Sequence, residues 1–134
     1  MPGPARAGAL LYAKDVERLA AFYETLLSMA RIHAAADLIV LESPDFQLVV
    51  HAMPPDLAAQ VVVMSPPVRR EQSALRLFFT VSSLHEARSV AAGLGGEVFP
   101  GLWYGPGFRV SNACDPEGNV FQLRESVSRT ASAP

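Results

Sequence analysis

Leu19, Phe22, Tyr23, Leu26 and Leu27 recur at the spacing of one helix face. Asp15, just before them, carries a side chain suited to capping a helix N-terminus, and Glu17 sits favourably in the first turn. The short apolar run Ala9–Ala13 ahead of the cap reads as a strand. Behind the helix, segments at about 30–35, 38–42 and 46–52 read as three further strands, the last two separated by the Pro44-Asp45 turn. The order is βαβββ.

From Pro54 to Arg70 no period is sustained, and Pro54-Pro55 and Pro66-Pro67 mark a linker in which Val61–Met64 is at most a short edge strand. The pattern then restarts. Leu75–Val81 predicts a strand, and Ser83-Leu-His-Glu86 reads as a capping box. Leu84, Ala87, Val90, Ala91 and Leu94 supply the apolar face of a second helix, which Gly95-Gly96 stops. Glu97–Phe99, Phe108–Ala113 and Asn119–Glu125 are the remaining strand candidates, so the second half is again βαβββ. At a constant offset Leu10 falls on Leu77, Ala20 on Ala87 and Leu27 on Leu94. The triplet Phe46-Gln47-Leu48, entered from Ser43-Pro-Asp45, recurs as Phe121-Gln122-Leu123, entered from Asp115-Pro-Glu-Gly-Asn119. Duplication accounts for this; the competing account is that two units of similar composition share some identities by chance. If both triplets sit at equivalent points, Gln47 and Gln122 face each other across whatever the halves enclose.

Composition narrows the function classes. The 134 residues are 50% hydrophobic and 18% charged, enough for one domain with a substantial core. A net charge of -2 with no Lys/Arg run gives no footprint for nucleic acid. No apolar segment reaches the roughly 20 residues of a membrane span, and the N-terminus lacks a signal pattern. The single cysteine, Cys114, excludes an internal disulfide and reads as a small core residue. A soluble, cytoplasmic protein is expected.

Two stretches carry a family resemblance: Leu11-Tyr-Ala-Lys-Asp-Val-Glu-Arg-Leu-Ala-Ala-Phe-Tyr23, and Asp115-Pro-Glu-Gly-Asn119 followed by Phe-Gln-Leu. They resemble the vicinal oxygen chelate superfamily, which includes glyoxalase I, bleomycin-resistance proteins and extradiol dioxygenases. The likeness spans about residues 8–125. It implies an α+β fold of two βαβββ modules forming a curved mixed sheet that cups a central pocket, with the helices on the convex side. On that basis residues 1–134 are one domain, with module one at about 8–53, a linker at about 54–74 and module two at about 75–126. The resemblance also implies a homodimer, in some members formed by exchange of modules across such a linker.

Catalytic members of that superfamily hold a divalent metal through one side chain from the first and one from the last strand of each module. Those positions correspond here to Gly8, Gln47, Arg76 and Gln122, where the family expects His or Gln and Glu. The set offers no side chain, two neutral amides and a cation that cannot lose its proton. No metal and no other cofactor is therefore expected. The same region suits an organic ligand. Strand alternation groups Gln47, Val49 and His51, then Arg76, Phe78 and Thr80, then Val120, Gln122 and Arg124, with Leu10 and Tyr12 opposite. Tyr12, Gln47, His51, Arg76, Phe78, Trp103 and Gln122 are the expected ligand-binding residues. Arg76 suits a carboxylate, phosphate or planar acyl group, and Trp103-Tyr104 beside Gly105-Pro106-Gly107 would form a stacking lip. The opposing readings are a rim salt bridge for Arg76, backbone bonding for the two glutamines, and a packing role for Trp103.

Two functions compete. One is a glyoxalase/bleomycin-resistance-like protein that binds a small organic molecule in a metal-free cup. The other is a lyase, isomerase or dioxygenase-type enzyme of the same superfamily, either with an unusual metal site or with acid–base chemistry through His51 and Tyr12. A strand-end histidine with no chemical role is the plainer reading of His51. The ligand itself has no signature in the sequence.

Overall fold

The structure is a computed structural model that describes residues 5–127. The chain divides into two compact units, with the boundary between Val63 and Met64. In the first, β1 (Gly8–Ala13), α1 (Val16–Leu27), β2 (Ala30–Ala35), β3 (Leu38–Ser43) and β4 (Phe46–Ala52) follow in order, and a short helix α2 (Pro55–Ala58) follows them. The strands form one mixed sheet in the order β1-β4-β3-β2, with β1 parallel to β4 and the other pairs antiparallel. Asp15 caps α1 as its sequence predicts, accepting from the Arg18 N–H at 3.1 Å. Leu19, Ala20, Phe22, Tyr23 and Leu26 of α1 are buried with Leu41, Leu48 and Val50 of the sheet, which leaves the alternate residues on the opposite, open face. Arg31 of β2 ties the sheet to this helix through paired hydrogen bonds of 2.9 and 2.7 Å to Glu17 and a third of 2.9 Å to Glu24. Those hydrogen bonds hold the Glu17 carboxyl below its usual range.

The second unit contains β5 (Phe78–Val81), α3 (Leu84–Gly93), β6 (Glu97–Val98), β7 (Trp103–Gly105), β8 (Phe108–Cys114) and β9 (Val120–Ser126). Its sheet runs β5-β9-β8-β6, and β7 also pairs with β8. Ser83 caps α3 through the Glu86 N–H at 3.1 Å, as the capping box predicts, and Glu125 accepts from the Leu84 N–H at 2.6 Å. The two βαβββ modules of the sequence reading are therefore present as two mixed sheets, one in each unit.

Four local expectations change. β7 replaces the expected lip loop: Trp103 pairs with Val110 and Gly105 with Phe108, so Pro106-Gly107 is a two-residue hairpin turn with Gly107 at φ 77°. Pro55–Ala58 forms a helical turn inside the expected linker, and Val61–Met64 forms no strand. The strand expected from Leu75 starts only at Phe78. Its parallel partner β9 begins at Val120, opposite the place Arg76 would take, so the backbone further upstream has nothing to pair with. The fourth change concerns the repeat. Ala13 and Val81 each end a first strand three residues before the helix, which superposes the modules at an offset of 68, not the 67 read from Leu10 and Leu77. Tyr12 pairs with His51 and Thr80 with Arg124. His51 and Arg124 are thus equivalent, Val49 matches Gln122, and Gln47 matches Val120. The two Phe-Gln-Leu triplets are out of step by two residues.

The turn 115–119 is built around one buried side chain. Asp115 is 0% exposed; its Oδ1 accepts from the Glu117 and Asn119 backbone N–H groups at 2.9 and 3.0 Å, and its Oδ2 from the Asn119 side chain at 2.8 Å. Gly118 closes the turn at φ 89°, and its carbonyl accepts from the Arg70 N–H at 2.8 Å. Within the first unit, Lys14 Nζ donates to the Val61 carbonyl. No helix among the described residues is long and apolar enough to cross a membrane.

Candidate functional site

On the open face of the first sheet, Gly8, Leu10 and Tyr12 of β1 lie beside Gln47, Val49 and His51 of β4. Leu10 and Tyr12 remain about half exposed despite their size. Gly8, Leu10, Gln47 and Val49, with Ala5–Ala7, line a shallow open pocket of about 360 Å³. Tyr12 meets His51 edge-on, with ring centroids 5.8 Å apart. His51 Nδ1 stands 2.8 Å from the Ala52 carbonyl, which only accepts, so Nδ1 is the donor of that bond. Glu42 pairs with Gln47 across β3 and β4, which puts one carboxylate on this face. Sequence reasoning missed it, since the antiparallel register that brings it beside Gln47 has no signature of its own.

The second sheet's open face carries Phe78 and Thr80 of β5, Val120, Gln122 and Arg124 of β9, and Asn112, Val110 and Phe108 of β8. Trp103, through Val110, belongs to the same cross-strand row as Arg124 and Thr80. Phe78 and Trp103 are each 54% exposed. Arg76 is exposed two residues ahead of β5 and makes no hydrogen bond or ion pair among the described residues. The rim salt bridge considered for it is not formed. Arg124 is the residue the sequence reading undervalued. Its guanidinium lies 3.7 Å from the Phe78 ring centroid and 4.2 Å from that of Phe108. Only strand pairing brings these three together.

Cys114 takes no part. It is 2% exposed, and burial pushes its thiol up to about 11, so it is an inert core residue as its sequence context predicts.

These residues do not fit the metal-ligand set of the superfamily that the sequence resembles. Gln47 and Gln122 offer neutral amides, Arg76 a fixed positive charge, and Gly8 no side chain. Among the described residues no three His, Cys, Asp or Glu side chains are grouped to hold an ion. Gly8 also cannot be replaced simply. A Cβ there would stand 2.3 Å from the Gln47 carbonyl oxygen, because β1 and β4 approach closely at that pair. Gly8→His is therefore expected to destabilise the protein by about 2 kcal/mol or more instead of creating a metal ligand. A melting temperature equal to wild type, measured by calorimetry, would refute that close approach.

Paired βαβββ modules, each with a helix on one sheet face and an open face opposite, define a protein of the glyoxalase and bleomycin-resistance fold. The chain belongs to the glyoxalase-like domain family, which matches residues 9–124, within the vicinal oxygen chelate superfamily. Similar solved structures agree on the fold. A glyoxalase/bleomycin resistance protein/dioxygenase family enzyme from Burkholderia phytofirmans is 16% identical with a TM-score of 0.67, covering 92% of this chain and 100% of its own. A fosfomycin resistance protein from Mesorhizobium loti is 13% identical with a TM-score of 0.63, covering 95% of each chain. A lactoylglutathione lyase from Agrobacterium tumefaciens is 19% identical with a TM-score of 0.56, covering 92% and 95%. No curated protein matches the chain.

Proposed function

We propose that this protein binds a small organic molecule on its open sheet faces without a divalent metal. The observation that carries the reading is the donor set at the four family positions. Gly8, Gln47, Arg76 and Gln122 together supply no anionic or imidazole ligand, and the backbone contact at Gly8 closes the simplest route to one. Large apolar side chains left exposed on the same faces, Leu10, Tyr12, Phe78 and Trp103, support ligand binding over a purely structural role. Tyr12, Gln47, His51, Arg76, Phe78, Trp103 and Gln122 are the binding residues in this reading.

The catalytic alternative draws on His51, whose Nδ1 is engaged by the Ala52 carbonyl and whose ring meets Tyr12 edge-on. No proton donor–acceptor pair joins the two rings, which favours binding over acid–base turnover. Protein purified without chelator should carry well under one equivalent of nickel, zinc, manganese or iron by elemental analysis. Its melting temperature should not move on adding metal or chelator. One tightly held metal per chain, or an activity lost to chelator and restored by metal, would replace this reading with the enzyme.

A further inference from the structure

Arg124 stands on the second module's open face without a counter-ion. Among the described residues no carboxylate pairs with it. Glu125, its neighbour in sequence, points to the other face, where it takes Arg109 and the Leu84 N–H. Two aromatic rings, Phe78 and Phe108, hold the guanidinium instead. Arg124 Nε is buried with no hydrogen-bond partner, and so is Oδ1 of Asn112 two residues along the face. A buried donor left unmade costs about 1–3 kcal/mol, so such groups in folded proteins mark places where a partner is expected. Ring contacts satisfy the π face of a guanidinium but none of its N–H edge, and they fix its plane before any ligand arrives.

We propose that Arg124 is an anion anchor: the carboxylate of a planar organic ligand accepts from its guanidinium edge, and the ligand's flat body lies along the face towards Trp103. Asn112 and Gln122 supply an amide edge for a polar substituent. The ligand class is thus an aromatic or conjugated carboxylate. This deepens the small-molecule reading above and rests on it. It also moves the anionic end of the ligand from Arg76, which lies outside the paired strands, to a cation held in place by its neighbours.

The test compares benzoate with benzamide, which has nearly the same shape and no charge, by calorimetric and NMR titration of the full chain. Wild type should bind benzoate at least about tenfold more tightly than benzamide. Arg124→Met should abolish that preference, and Arg124→Lys, which keeps the charge but loses the planar fork, should fall between. Arg18→Met, on the exposed side of α1, should behave as wild type. Benzoate should also shift the Arg124 Nε–H and Asn112 side-chain amide resonances of the unmutated protein, a readout independent of whether any variant folds. Absence of benzoate binding up to about 10 mM, or no shift at either group, would overturn the proposal. A preference that survives in Arg124→Met and disappears in Arg76→Met would overturn the anchor while leaving the small-molecule reading intact. A tightly bound metal would overturn that broader reading whatever Arg124 does.

Discussion

Asp115→Ala should lower stability by about 3 kcal/mol or more, because the buried Glu117 N–H, the part-buried Asn119 N–H and the Asn119 side-chain amide lose their acceptor together. For a chain of this size that corresponds to a fall of roughly 10 °C in the melting temperature. The Asp115 main chain is already engaged with Asn119 and Gly118, so it does not take over the role of the lost carboxylate. Asp115→Asn keeps an oxygen for the backbone donors and loses only an acceptor for the Asn119 amide, so its cost should be nearer 1 kcal/mol. Denaturant unfolding of the two variants decides the matter. A loss under about 0.5 kcal/mol for Asp115→Ala would show that the turn holds without its carboxylate, and equal large losses would show that one amide oxygen does not replace it.

Gly118→Val should cost about 3 kcal/mol, well above the figure for a turn glycine that is merely left-handed. Two effects combine at this position. At φ 89° a β-branched residue is strained, and a Cβ would stand 2.0 Å from the Val68 carbonyl oxygen. Relief requires the 68–70 segment to move away, which breaks the bond from Arg70 N–H to the Gly118 carbonyl. Gly107 separates the two effects: its φ is 77°, but nothing lies within 4 Å of the corresponding Cβ. Gly107→Ala should therefore cost only about 1 kcal/mol. Similar thermal shifts for Gly118→Ala and Gly107→Ala would remove the steric part of the argument.

Much of the fold was legible because its signals are local. The strand bounds of the first module, both helix caps and the 115–119 turn follow from periodicity and from side chains that bond within three or four residues of themselves. What escaped depends on pairing between distant segments. Trp103-Tyr104-Gly105 looks like a loop beside Pro106-Gly107, and only β8 turns it into a strand. Leu75 and Leu77 are as apolar as a strand requires, yet the ladder with β9 runs only from Phe78, with the bond from the Gln122 N–H to the Leu77 carbonyl as its upstream end. Matching Leu on Leu and Ala on Ala misplaced the repeat by one residue, since those identities are common in any apolar helix. The positions of the candidate site were legible as alternating strand residues. Their relative standing was not, because the isolation of Arg124 from any carboxylate and its contact with two rings arise from three strands at once.

The two-residue slip between the Phe-Gln-Leu triplets bears on how two modules of one backbone plan can differ. A strand turns alternate side chains to opposite faces, so a slip of one residue would have buried the glutamine of one module under its helix and exposed Leu123 in its place. A slip of two preserves the facing and moves the amide by about 7 Å along the strand, putting Arg124 where the other module keeps His51. Whole pleats are therefore the smallest steps by which one module can differ from the other while its core stays intact. The two modules share a backbone plan, yet each can present different chemistry at the same height above its helix.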